Sequence, residues 1–293
     1  MARYEGTLPA IVTPLKDGVP DLPALSALVD WLMSEGADGI VACGTTGEGA
    51  TLRPEEVVSV ARTVKEVVAG RGPVIVGTGS NDTARTIEMT RRVREVGVDG
   101  ALVVTPYYNK PSPEGLYQHY AAVAREGGLP VLMYNVPGRT GLNMSVETML
   151  RCAAIEGVVG VKDASKEMEK VVRLREALGD EFSLLSGDDF TILPFVACGG
   201  DGVVTVVGNV APRDTAAITR AVRAGDLEEA RHQQAKVLPL ASALFVESNP
   251  IPVKAALAKM GKCREEYRLP LCPPSDPARE VLYAALEAYG GLL

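Results

Sequence analysis

Eight times along this chain a short apolar run rich in β-branched residues is followed by a longer segment of helical period, and that alternation limits the folds open to it. The runs fall at Gly6 to Thr13, Gly39 to Gly44, Val74 to Thr78, Ala101 to Thr105, Val131 to Tyr134, Val158 to Lys162, Ser183 to Ser186 and Gly202 to Val206. Helical segments are expected at Leu22 to Ser34, Pro54 to Val68, Thr83 to Val96, Ser112 to Arg125, Ser145 to Cys152, Glu167 to Leu178, Phe190 to Cys198 and Pro212 to Ala224. Runs such as Val74-Ile75-Val76 are apolar at successive positions, so both faces need cover, as in a parallel sheet. Pro54 with Glu55 and Glu56 suits a helix start, while Glu35-Gly36 and Leu178-Gly179 suit left-handed helix ends. Eight such units predict the α/β class and a closed (β/α)8 barrel of the TIM type. A doubly wound open sheet would alternate in the same way, but the nearest glycine fingerprint, Gly77-Thr78-Gly79 before Ser80-Asn81-Asp82, lacks its third glycine.

Beyond the eighth unit the period is helical throughout, at Asp226 to Phe245, Pro250 to Met260 and Asp276 to Tyr289, with Tyr267 to Pro274 as a connector. The expected division is a barrel catalytic domain over residues 1–225 and a C-terminal helical domain, an extension of the barrel, over residues 226–293. At 293 residues, 46% hydrophobic and 23% charged, the chain can bury a large core. Its 30 Lys plus Arg against 37 Asp plus Glu give a net charge of −7, which argues against nucleic-acid binding and against a polybasic membrane surface. Five scattered cysteines without C-x-x-C spacing point to reduced thiols, and two distant histidines build no metal cluster. The opening Met1-Ala2-Arg3-Tyr4-Glu5-Gly6 runs directly into strand-like sequence without a leader, and the nearly apolar Val237 to Val246 is too short to cross a bilayer. A cytoplasmic location is expected.

In a barrel of this kind the reactive groups stand at the C-terminal ends of the strands. Five such ends here are polar. Gly44-Thr45-Thr46-Gly47-Glu48-Gly49 follows the second strand, Thr105-Pro106-Tyr107-Tyr108-Asn109 the fourth and Tyr134-Asn135-Val136-Pro137-Gly138-Arg139-Thr140-Gly141 the fifth. Lys162 closes the sixth, and Ser186-Gly187-Asp188-Asp189 follows the seventh. Burial disfavours the charged form of an amine, and the neutral amine is the form that attacks a carbonyl. The alternative for Lys162 is a stem packed on the strand end with its head reaching water. The glycine-rich turn can aim backbone N–H groups and two threonine hydroxyls at a carboxylate, or it can be a tight βα turn and nothing more. A carboxylate held beside a nucleophilic amine describes a 2-oxo acid, able to form a Schiff base and then an enamine. Tyr134, on the neighbouring strand, is placed to move the protons through a hydroxyl relay with Thr45 and Tyr108, although tyrosines in strands are also common as packing.

The runs Gly44-Thr-Thr-Gly-Glu, Tyr134-Asn-x-Pro-Gly-Arg-Thr-Gly and Gly160-Val-Lys-Asp resemble the dihydrodipicolinate synthase family, within the pyruvate-dependent class I aldolases that include N-acetylneuraminate lyase. The resemblance extends over essentially the whole chain. It implies that Lys162 forms the Schiff base with pyruvate, that Tyr134 shuttles protons, and that Thr45 and Tyr108 complete the relay. It further implies that Thr46 holds the pyruvate carboxylate, that Arg139 holds the carboxylate of L-aspartate 4-semialdehyde, and that Gly187 and Val204 line the pocket. The implied product is 4-hydroxy-tetrahydrodipicolinate, on the route to diaminopimelate and lysine, with no separate cofactor and no metal. The tyrosine matching Tyr108 is donated across a tight dimer in this family, and dimers are expected to pair into tetramers.

Two features set this sequence within the family. The lyases usually carry Ser at the Thr45 position and lack an arginine at the Arg139 position, which separates this chain from relatives acting on a sugar acid or a hydroxy-oxoglutarate. Lys162 with Tyr134 separates it from a silent barrel that merely senses a 2-oxo acid. At the positions matching the family's lysine-effector site this chain has Pro54, Val57 and Arg85, with only Asn81 and Tyr107 retained. A guanidinium repels an effector ammonium, so lysine feedback is expected to be weak or absent.

Overall fold

The computed structural model describes residues 3–292. Met1, Ala2 and Leu293 lie outside the described residues, the first two being part of the segment read as leaderless. Eight parallel strands form one sheet in the order β1 (Gly6–Pro9), β10 (Gly202–Thr205), β9 (Ser183–Ser186), β8 (Val158–Asp163), β7 (Val131–Asn135), β6 (Gly100–Val104), β5 (Val74–Gly77) and β4 (Ile40–Ala42). A parallel bridge between Ala10 and Val41, with Ile11 N donating to Val41 O at 3.0 Å, joins the first strand to the last and closes the ring. Beyond the run Gly6 to Thr13, of which β1 takes the first four residues, a short hairpin of β2 (Leu15–Lys16) and β3 (Val19–Pro20) lies outside the sheet. Its turn is Asp17-Gly18 with φ of 54° and 79°, the left-handed pair that such dipeptides favour.

Helices cover the outside. They are α1 (Leu22–Ser34), α2 (Pro54–Val68), α3 (Thr83–Arg94), α4 (Pro113–Gly127), the four-residue α5 (Pro137–Thr140), α6 (Val146–Ala153), α7 (Met168–Leu178), α8 (Ile192–Ala197) and α9 (Pro212–Arg223). The C-terminal helices are α10 (Leu227–Leu244), α11 (Ile251–Lys259) and α12 (Asp276–Tyr289). The starts follow local chemistry: Asp82 accepts from Ala84 N at 2.8 Å ahead of α3, and Glu56 folds back to accept from Arg53 N at 2.8 Å at the head of α2.

Two apolar cores result. One fills the barrel with Leu8, Val41, Ile75, Leu102, Leu132, Leu185 and Val204; the other lies between strands and helices. Leu240 and Leu244 of α10, Val253 and Leu257 of α11, and Leu282 and Leu286 of α12 belong to that outer core. Each such side chain, taken from water, contributes about 1.5–3 kcal/mol. The C-terminal helices are thus bonded into the packing of the barrel rather than hung beside it.

One irregularity decides what faces inward. Val131 pairs with Val158 but Leu132 pairs with Gly160, which leaves Val159 as an extra residue on β8. From there Tyr134 is opposite Lys162 and Asn135 opposite Asp163. Without the bulge Lys162 would pair with Asn135 and take the outer face, since a slip of one residue turns every side chain over.

Candidate active site

Tyr134 lies in the inner core, so its register partner Lys162 also points into the barrel, and the Lys162 Nζ stands 4.1 Å from the centre of the Tyr134 ring. Lys162 is 6% exposed and Tyr134 7%. Nearby lysines pair with carboxylates, Lys166 with Asp188 and Lys170 with Glu167, whereas Lys162 pairs with none among the described residues. Space for its stem comes from glycine. A Cβ on Gly187 would lie 3.0 Å from Lys162 Cε and 2.9 Å from Ala164 Cβ, so only glycine fits there without a shift. Val204 contributes to the apolar packing of the same interior.

The loop after β4 is wound tightly: Gly49 N donates to Gly44 O at 3.1 Å and Glu48 N to Thr45 O at 3.1 Å. A Cβ on Gly49 would come within 2.1 Å of Cys43 O, which makes glycine obligatory at that crossing. Thr46 is buried and its Oγ1 accepts from Asn249 Nδ2 at 3.0 Å; Thr45 is half-buried. Arg139 rides on α5, a turn of helix too short for its period to announce, and its guanidinium donates to Asn249 O at 3.0 Å.

A cavity of about 760 Å³ opens beside these groups, and Lys162, Thr46, Gly187 and Val204 stand behind its walls rather than in them. Thr45, Tyr134 and Arg139 line it directly, as do Asn249 and Tyr107. Pro54, Val57, Asn81 and Arg85, which the family resemblance puts at the effector positions, line the same cavity. Tyr108 is not gathered in: it is 89% exposed, with φ of 70°. No hydrogen bond joins Thr45 to Tyr134 among the described residues. His119 is buried elsewhere, on α4, where its Nδ1 meets Thr83 Oγ1 at 2.9 Å.

Asn249 was not foreseen from the sequence. It touches both Thr46 and Arg139, yet it belongs to the C-terminal extension, where position in a βα repeat carries no information. Asp163 and Asn135 were also passed over, on the outer side of the strands that carry Lys162 and Tyr134, where Asn135 Nδ2 donates to Asp163 Oδ1 at 2.7 Å. Among the described residues no helix is long and apolar enough to cross a membrane, and no three His, Cys, Asp or Glu side chains converge to hold a metal ion.

This arrangement can hold a carboxylate on the Thr45–Thr46 loop, present a buried amine to a carbonyl beside a phenol, and offer a guanidinium to a second anionic group. Known proteins resemble the chain over its whole length. The sequence profile described as the dihydrodipicolinate synthetase family matches residues 3–289. A 4-hydroxy-tetrahydrodipicolinate synthase from Anaeromyxobacter dehalogenans is 49% identical, covering 99% of this chain and 99% of its own. The crystal structure of dihydrodipicolinate synthase from Aquifex aeolicus superposes with a TM-score of 0.96 at 42% identity, over 99% of both chains. The chloride-inhibited dihydrodipicolinate synthase from Acinetobacter baumannii, complexed with pyruvate, superposes with a TM-score of 0.95 at 44% identity, again over 99% of both.

Proposed function

Because the chain belongs to the dihydrodipicolinate synthetase family, we propose that its cavity condenses pyruvate with L-aspartate 4-semialdehyde, with Lys162 as the Schiff-base amine. The enzyme is a 4-hydroxy-tetrahydrodipicolinate synthase, an aldolase-type lyase of lysine and diaminopimelate biosynthesis. The observation that carries the residue assignment is the pairing of Lys162 with Tyr134 on the inner face of the barrel, amine 4.1 Å from ring centre.

The steps follow from that geometry. Pyruvate enters with its carboxylate on the N–H groups and hydroxyls of Thr45 and Thr46. The neutral Lys162 amine attacks the ketone carbon; the oxygen takes two protons and leaves as water, giving the iminium. Loss of a methyl proton gives the enamine, with Tyr134 as the group that gives and takes these protons. The enamine carbon then bonds to the aldehyde carbon of the second substrate, whose carboxylate Arg139 holds, and the aldehyde oxygen is protonated to the hydroxyl. Attack of that substrate's own amine on the iminium closes the ring and releases Lys162. No separate cofactor enters the scheme, since the covalent nitrogen is the protein's own.

Tyr108 enters the relay from a second copy of the chain, which its exposure and strained backbone support. The assembly is a tight dimer sharing this residue, with two dimers forming a tetramer. Five unpaired cysteines fit a reducing cytoplasm. The test is to treat the protein with pyruvate and borohydride and to map the adduct by mass spectrometry. Label on the peptide holding Lys162 is expected; an unlabelled peptide defeats the Schiff-base assignment. Turnover is expected with aspartate semialdehyde and not with N-acetylmannosamine, and faster turnover of the sugar would reassign the substrate.

A further inference from the structure

We propose that the buried pair Glu48 and Lys254 is a positioning device by which the C-terminal extension sets the Thr45–Thr46 loop for pyruvate. The proposal rests on the reading of that loop as the pyruvate carboxylate site. Glu48 stands two residues after Thr46, with φ of 54°, a left-handed conformation that costs a residue with a side chain some energy. Cys43, on the other side of the loop, has φ of 55°. A loop held between two such residues needs an outside anchor.

Thr13 of the barrel donates to Gly47 O at 2.7 Å, but every partner of the Glu48 side chain comes from the extension. The Glu48 side chain is 2% exposed and that of Lys254 is 0% exposed, and the two form a direct ion pair. The second Glu48 oxygen accepts from Arg268 N at 3.1 Å, and the Lys254 ammonium donates again to Glu266 O at 2.8 Å. Burial pulls the Lys254 pKa down while the charge of Glu48 opposes it. Arg268 in turn grips the same region, donating to Thr51 O at 2.8 Å and to both oxygens of Glu56. Asn249, just ahead of α11, adds the bonds to Thr46 Oγ1 and from Arg139. One stretch of extension therefore holds both carboxylate-binding elements.

Stability alone does not explain an ion pair in this place. Two charges taken from water gain little over well-packed apolar side chains of the same volume, whereas removing one partner strands the other. What an apolar pair cannot supply is direction: the carboxylate fixes the loop by bonds at defined angles.

That difference supplies the test. Thermal unfolding, steady-state kinetics and the pyruvate concentration giving half-maximal borohydride trapping at Lys162 are measured for the wild type, Lys254→Met, the double variant Glu48→Leu/Lys254→Met, and Glu48→Gln. Lys254→Met is expected to unfold at a lower temperature and the double variant to recover that loss. The double variant is nonetheless expected to need about tenfold more pyruvate for half-trapping, with less than a twofold change in KM for the aldehyde. Glu48→Gln, which keeps the shape and the Arg268 contact, is expected to need about threefold more pyruvate, and it decides the matter if the double variant does not fold. Wild-type half-trapping in the folded variants overturns the proposal. A wild type that pyruvate and borohydride leave unlabelled removes the Schiff-base reading, and this proposal with it, before any variant is compared.

Discussion

Asn135 donates from Nδ2 to Asp163 Oδ1 at 2.7 Å, one register step beyond the pairing of Tyr134 with Lys162. The two are buried on the opposite side of the barrel wall from the reactive pair. Asn135 is itself fixed, donating also to Asn143 Oδ1 at 2.9 Å and accepting from Met144 N at 3.0 Å. Asp163 is held further by the Ser165 hydroxyl at 2.6 Å. This bond ties β7 to β8 where a slip would part the amine from the phenol. Asn135→Ala removes it and leaves a buried carboxylate short of a donor, at a cost of about 2 kcal/mol. Thermal unfolding is expected several degrees lower, with kcat reduced about tenfold. A variant that loses stability at unchanged kcat would show that the bond serves the fold alone.

Tyr134→Phe keeps the ring beside the Lys162 amine and deletes only the hydroxyl. If that hydroxyl moves protons, kcat falls by about 10²–10³ while the half-trapping concentration of pyruvate stays within a few fold. The check is steady-state kinetics beside borohydride trapping. A kcat within threefold of wild type would transfer the proton role elsewhere.

The elements legible in the sequence are those whose signals are local. Helices α1 and α2 begin and end where their period places them, α2 helped by Pro54 and its acidic first turn, because a cap is written in four consecutive residues. Lys162, Tyr134 and the Thr45–Thr46 turn were legible because a barrel gathers its strand ends. The inward direction of Lys162 was not, since Val158-Val159-Gly160-Val161 is apolar throughout and the bulge at Val159 leaves no mark in hydrophobicity. Nor was the ion pair of Glu48 with Lys254, whose partners stand 206 residues apart and meet only after α11 has docked. The hairpin at Asp17-Gly18 was available in its turn residues but lay in the gap between the expected strand Gly6 to Thr13 and the helix from Leu22, where no element was assigned.

Arg139 is exposed apart from its bond to Asn249 O, so its guanidinium is free to meet a second substrate. Arg139→Ala is expected to raise KM for aspartate semialdehyde about tenfold or more and to leave pyruvate trapping at Lys162 unchanged. Arg139→Lys recovers little, because a point charge does not reproduce a planar pair of donors. An equal loss for both substrates would place Arg139 in the fold of the loop.

Arg85 is 81% exposed on its side chain and has Asp82 at 3.7 Å, in a cavity shared with Pro54 and Val57. An effector ammonium meets the Arg85 cation there, and the nearby carboxylates are engaged, Asp82 with Arg85 itself and Glu88 with Arg92. Activity in the presence of sub-millimolar L-lysine is expected to match activity without it. A clear drop in initial rate would show that other groups take the amino acid.

His119 gives the stability of the protein a pH dependence. It is 4% exposed, its Nδ1 meets Thr83 Oγ1 at 2.9 Å, and its Nε2 is buried with no partner among the described residues. Burial pulls its pKa down to about 4. An unfolded histidine titrates near 6.5, so between about pH 4 and 6.5 the unfolded chain binds more protons than the folded one, and stability falls as the pH falls through that window. The stabilisation is fully present above the upper limit and amounts to about 3 kcal/mol. Asp189 works in the opposite sense: burial raises its carboxyl to about 6, so the folded chain takes up the proton first and gains stability as the pH drops toward the ordinary carboxylate range. The wild type alone therefore shows a blunted slope. Chemical denaturation of wild type and His119→Gln at pH 7 and pH 4.5 separates the two, because both proteins share Asp189. The variant is expected to be the less sensitive to acid by about 2 kcal/mol, and equal losses in the two proteins would show that His119 is protonated without cost in the folded state.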